Sequence, residues 1–169
     1  MRLLIAIVLF GFCQAAVAQD AFLEEYLKKW KNGAQYTIEL AEAMPEDKYD
    51  YRPTPEVRSF REQVVHIMNN MVWLSSSYLS TTNFKGDLKH KDLSKEEILM
   101  LLRQATKFAE NTVRNFDAKD LDDNVDFYTG PMTKRQILVL MNDHMTHHRG
   151  QIIVYARING IKPPRYRGW

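Results

Sequence analysis

The chain has one cysteine, Cys13, and it falls inside an N-terminal apolar run. A disulfide framework and a cysteine nucleophile are therefore excluded from the rest of the sequence. Charge of one sign is also missing. The 23 basic residues stand against 21 acidic ones, and no basic stripe with interleaved aromatics appears, which removes nucleic acid as an expected partner. There is no glycine-rich phosphate loop, no nucleophile elbow and no haem-attachment motif, so the chemistries those motifs serve have no foothold. Alternating polar and apolar runs are scarce and no fixed period recurs, which argues against sheets and repeat arrays. Beyond the N-terminus, no apolar stretch approaches the roughly 20 residues that a membrane-spanning helix needs.

The N-terminal run has the build of a signal peptide. Met1-Arg2 is a short basic start, Leu3 to Phe12 is apolar, and Ala16-Val17-Ala18 places small residues where a signal peptidase reads. The expectation is cleavage after Ala18 and export to the periplasm or the medium, with no stable membrane anchor afterwards. Phe12 stands where a lipoprotein site wants a small residue before the cysteine, which argues against lipidation. Residues 19–169 suit one domain with a single core.

What the chain does have is helical periodicity. A first helix is expected from about Ala21 to Met44, with Asp20 as its N-cap and Pro45 ending it. Ser59-Phe60-Arg61-Glu62, Ser94-Lys95-Glu96-Glu97 and Thr133-Lys134-Arg135-Gln136 are capping boxes that open three more helices. The last of these stops at Asn159-Gly160, before Pro163-Pro164. Between the first two helices, Tyr49, Tyr51, Pro53 and Pro55 predict an extended strap that packs on the core. A polar loop, Thr81 to Leu93, carries an exposed His90. An acidic run from Asp117 to Met132 reads as a solvated loop that could rim a pocket mouth. The basic, aromatic tail Arg165-Tyr166-Arg167-Gly168-Trp169 is expected to fold against the bundle. The fold class is all-α, a four-helix bundle.

The densest chemistry lies in Asp143-His144-Met145-Thr146-His147-His148-Arg149-Gly150-Gln151. Residues four apart lie one above the other on a helix, so His144 and His148 can aim two imidazoles at one point. They share a stripe with Ile137, Leu140, Met141, Gln151 and Tyr155, the face a bundle helix turns inward. His66 is the other histidine on an apolar stripe, among Phe60, Val64, Met68 and Met71. A lone core histidine is usually a hydrogen-bonded structural residue. Three on two helices are different: left unpartnered they cost roughly 1–3 kcal/mol each, and a divalent metal removes that penalty by accepting their lone pairs. Because histidine must be neutral to ligate, affinity should fall as pH drops through about 6.5. Glu62, one turn before His66, already has a capping role that weakens it as a further ligand. A zincin would carry glutamate where Met145 stands, and the paired Glu-x-x-His motifs of a di-iron bundle are absent. Asp143 lies off the ligand face, so no general base can be assigned.

The run from Met44 to Phe60, then His66, then His144-Met145-Thr146-His147-His148-Arg149-Gly150-Gln151 with Gly160-Ile161-Lys162-Pro163-Pro164, resembles the DinB family over essentially the whole mature chain. The resemblance implies a bundle of DinB/YfiT type with one divalent metal on His66, His144 and His148. It leaves His147, which lies about 60° from His144 on the helix wheel, as a supporting or surface residue. Zinc or nickel heads the list of metals, with iron, cobalt or manganese behind, since three imidazoles suit all of them. Some members of the family use the metal to activate a small thiol or related nucleophile. The resemblance thus implies a metal-dependent transferase or hydrolase acting on a small molecule, thiol or otherwise. The alternative is a non-catalytic metal- or ligand-binding stress-related protein. A homodimer stays open.

Overall fold

The computed structural model describes the backbone of residues 2–88 and 93–169, and the side chains of residues 21–88 and 93–169. The side chains of the expected signal segment and the loop residue His90 lie outside those bounds. Four helices carry the fold: α1 Arg2–Ala43, α2 Phe60–Leu74, α3 Lys95–Arg114 and α4 Lys134–Ile158. α1 passes without a break through Asp20, so in the full chain that residue is not the N-cap expected of it.

The three capping boxes form as read. Ser59, Ser94 and Thr133 each accept from the backbone N–H three residues on, and Glu62, Glu97 and Gln136 each accept from the cap's own N–H. α4 closes on Gly160 at φ 74°, a left-handed position that a side chain would strain. There the Ile161 N–H donates to Ala156 O at 2.9 Å and the Gly160 N–H donates to Arg157 O at 3.0 Å, which is the Schellman closure. α2 runs straight into a π turn, Ser75–Leu79.

α1 packs on α3 and α4, and α2 packs on the same two helices, so the order around the bundle is α1, α3, α2, α4. One core fills the interior, with Trp30, Leu40, Phe60, Ile67, Met68, Leu102 and Ile137 essentially sealed from water. α3 turns Ile98, Leu102, Ala105, Ala109 and Val113 inward, the packing role expected of it. Arg149 is buried, and among the described residues no carboxylate pairs with it. Its Nη1 donates to Gly33 O at 3.1 Å and its guanidinium lies 5.5 Å from the centre of the Tyr36 ring. Gly33 makes room for this, since a Cβ there would meet Met145 Cε at 2.8 Å and Arg149 Nη1 at 3.0 Å.

The strap between α1 and α2 contains a 3₁₀ turn, Glu46–Lys48, and then extended chain. Tyr49 is fully buried and its hydroxyl donates to Ala41 O at 2.7 Å. At the other end, the Tyr155 hydroxyl of α4 donates to Arg58 O at 3.1 Å, so the strap is clamped where it reaches α2. The acidic run is more ordered than a solvated loop. It holds a 3₁₀ turn, Ala118–Asp120, and a two-residue ribbon, β1 Asn124–Val125 antiparallel to β2 Met132–Thr133. Asp123 pairs with Lys134 at 3.0 Å and Asp122 with Arg135 at 3.2 Å, so these carboxylates pin the start of α4. The tail folds back as expected, with Arg167 pairing with Glu39 at 2.6 Å and Lys29 Nζ 4.6 Å from the centre of the Trp169 ring.

Candidate metal centre

The α2–α4 contact brings His66, His144 and His148 together, with one ligating atom of each within 4.8 Å of the others. Ring centroids lie 4.7 Å apart for His66 and His144, 4.5 Å for His66 and His148, and 4.4 Å for His144 and His148. His144 Nε2 and His66 Nε2 are 3.0 Å apart. Two imidazole nitrogens held at about 2.0–2.1 Å by one ion stand roughly 3–3.4 Å apart, so this spacing already matches adjacent ligands.

All three rings favour the neutral form that ligation needs. Burial holds His144 down to about 3, with like-charge repulsion from His148, His66, His147 and Arg58 adding to it. His148 is held down to about 4, first by burial and then by His66, His147 and Arg58. His66 is lowered by burial and by Arg58. His144 Nδ1 is buried and unpartnered, as is Asn70 Oδ1, one turn along α2 from His66. Three neutral nitrogen donors fit a single borderline metal ion.

A chain of hydrogen bonds fixes the third ring. The His148 Nδ1–H donates to Gln63 Oε1 at 2.8 Å, the Gln63 amide N–H donates to Gln151 Oε1, and the Gln151 amide N–H donates to His147 Nε2 at 2.9 Å. With its proton committed on Nδ1, His148 presents a bare Nε2 lone pair to the site. His147 itself is exposed, joins through Gln151 and sets its ring edge-on to His148 with centroids 4.8 Å apart, and it is not part of the triad. Glu62 is held by its capping box and by Arg52 at 3.2 Å. Gln63→Leu removes the acceptor while keeping an apolar fit. It is expected to weaken metal binding about 10–100-fold with the helical content intact, as measured by competition with a chromogenic chelator.

A cavity of about 530 Å³ opens beside the triad, with residues 56–58 of the strap on one side and Gln63, His147, His148 and Gln151 on the other. The acidic run contributes nothing to this cavity; Asp117 and Asp120 instead line a separate one of about 640 Å³, with Tyr78, Phe108 and Lys134.

The DinB family model matches residues 17–168. The chain belongs to the DinB family. The YjoA protein of Bacillus subtilis (strain 168) is 26% identical over 127 residues, covering 73% of this chain and 82% of that protein. The solved structure of the B. subtilis DinB-like protein YjoA superposes with a TM-score of 0.72 at 23% identity, covering 86% of this chain and 99% of that one. A DinB-like protein from Bacillus cereus ATCC 10987 gives 0.74 at 22% identity, covering 85% and 96%. A DinB-family structure from Exiguobacterium sibiricum 255-15 gives 0.59 at 21% identity, covering 84% and 91%. At these identities the solved structures support the DinB fold, and the site rests on this chain's own histidines. Among the described residues, no helix is long and apolar enough to cross a membrane.

Proposed function

We propose that this DinB-family protein binds one divalent metal ion through His66, His144 and His148 and acts as a metal-dependent transferase or hydrolase on a small molecule. The observation that carries the reading is the convergence of three neutral imidazoles within 4.8 Å at the edge of an open cavity. A metal held by His66, His144 and His148 would leave one position open and would supply Lewis-acid chemistry there, to a water, a thiol or an electrophile. The chain's own contribution is to hold the three lone pairs in place and to keep His148 in one tautomer through Gln63. The apolar core behind the rings excludes water from that side. Cys13 is the only cysteine and the triad includes no carboxylate, so the reading takes its nucleophile from a water or a small molecule at the metal position. The test compares turnover of panels of esters, thiols and electrophiles by the zinc- and nickel-loaded protein, its apo form and His144→Ala. Turnover that survives metal removal defeats the mechanism. A loaded protein that turns over nothing is a metal- or ligand-binding bundle.

We propose in addition that the protein is exported, supported by the signal-like residues 1–18. Export means less exposure to the cytosolic thiol pool, which ranks water and non-thiol nucleophiles level with thiols. Intact-mass measurement on protein from its native host should give a chain beginning at Gln19, and a retained Met1 to Ala18 segment would rule export by this signal out.

A further inference from the structure

The charge around the triad is unbalanced in one direction. The three histidines are neutral donors, so an ion held by them keeps its full double charge, and the triad includes no carboxylate. Arg58 lines the same cavity as His148. A cation beside a cation-binding site is unfavourable unless something negative lies between them.

Among the described residues no carboxylate pairs with the Arg58 guanidinium. Glu56 lines the same cavity as an ionised carboxylate, but it accepts from the Thr54 side chain and from its own backbone N–H, which hold it below the usual carboxylate range and engage it there. The backbone at Arg58 is held in place, while its side chain is exposed. The Tyr155 hydroxyl fixes its carbonyl at 3.1 Å, Tyr155 is buried, and the Tyr51 ring packs edge-on against it with centroids 6.0 Å apart.

We propose that the cavity receives a small molecule bearing a carboxylate, which Arg58 binds while another atom of the same molecule reaches the metal position. A guanidinium takes a carboxylate through two parallel N–H donors, which fixes orientation as well as charge. The roughly 530 Å³ of space suits a molecule of metabolite size. The inference rests on the proposed three-histidine metal site.

The test uses the full protein loaded with cobalt(II) and titrated, by its visible absorption, with 4-mercaptobutyrate and with 4-mercaptobutyramide. The pair differs in charge at the far end, and the chain is too long to favour chelation through both ends. Wild type should bind the acid about tenfold more tightly than the amide. Arg58→Gln should bring the two affinities together with that for the amide unchanged, and Arg58→Lys should keep part of the preference. Equal affinities in wild type, or a preference that survives in Arg58→Gln, would overturn the role of Arg58 and leave the metal site standing. A chain that takes up no cobalt would overturn both.

Discussion

Replacing His148 by alanine is expected to leave a helical protein that no longer retains a stoichiometric metal ion. The change removes one of three nitrogen donors and also strands Gln63 Oε1, which now accepts from the His148 ring. The loss should go well beyond the roughly 10–100-fold that a missing supporting partner costs, because the open site that remains has two protein ligands. His66→Ala and His144→Ala should behave in the same way, while His147→Ala and His90→Ala should keep one ion per chain. Elemental analysis after dialysis, with circular dichroism to confirm the fold, reads all five variants. Equal metal content in wild type and His148→Ala would sink the assignment. Loss in His147→Ala with retention in His148→Ala would hand the ligand role to the neighbour.

The triad was readable before any coordinates because its signals are local. His144 and His148 are one turn apart on a stripe shared with Met141 and Tyr155, both buried, and His66 sits between buried Val64 and Met68. The helix starts were readable for the same reason, since each capping box is a four-residue device. Gln63 was not singled out. Its importance comes from facing His148 and Gln151 across the α2–α4 contact, and that register is not written within four residues of anything. A polar residue three before His66 on a buried face was the one available hint. Arg149 hides its role similarly, because the Gly33 carbonyl that receives its guanidinium is 116 residues away in sequence. The acidic run is solvated as read, with Asp122 and Asp123 exposed, but its ion pairs were not legible, because these carboxylates meet Arg135 and Lys134 at the first turn of α4, eleven or more residues on. The order of helices around the bundle is likewise a property of long-range packing and leaves no mark on any single segment.

Acid should act on the fold of the metal-free protein before it acts on the ligands. An exposed histidine protonates near 6.5, and from sequence alone metal affinity was expected to fall through that value. In the folded chain the environment holds His148 down to about 4 and His144 to about 3, and lowers His66 as well, chiefly by burial. Between pH 6.5 and about 4 the unfolded chain therefore takes up protons at His144 and His148 and the folded chain does not, and the lowered His66 acts in the same direction. By linkage, the stability they contribute is fully present above about 6.5 and drains away as pH falls through that window. The metal-free protein should show a lower Tm at pH 5 than at pH 7. Metal binds the folded form, and at about 1,000 times its Kd it adds roughly 4 kcal/mol, so the loaded protein should hold its Tm across the same interval. Its affinity for the ion should decline steeply only as pH approaches 4, where protons compete for the folded ligands directly. Calorimetric melts of both forms from pH 7 to 4 check this. A metal-free Tm that stays level between pH 7 and 5 would mean that these imidazoles are not held neutral by the fold.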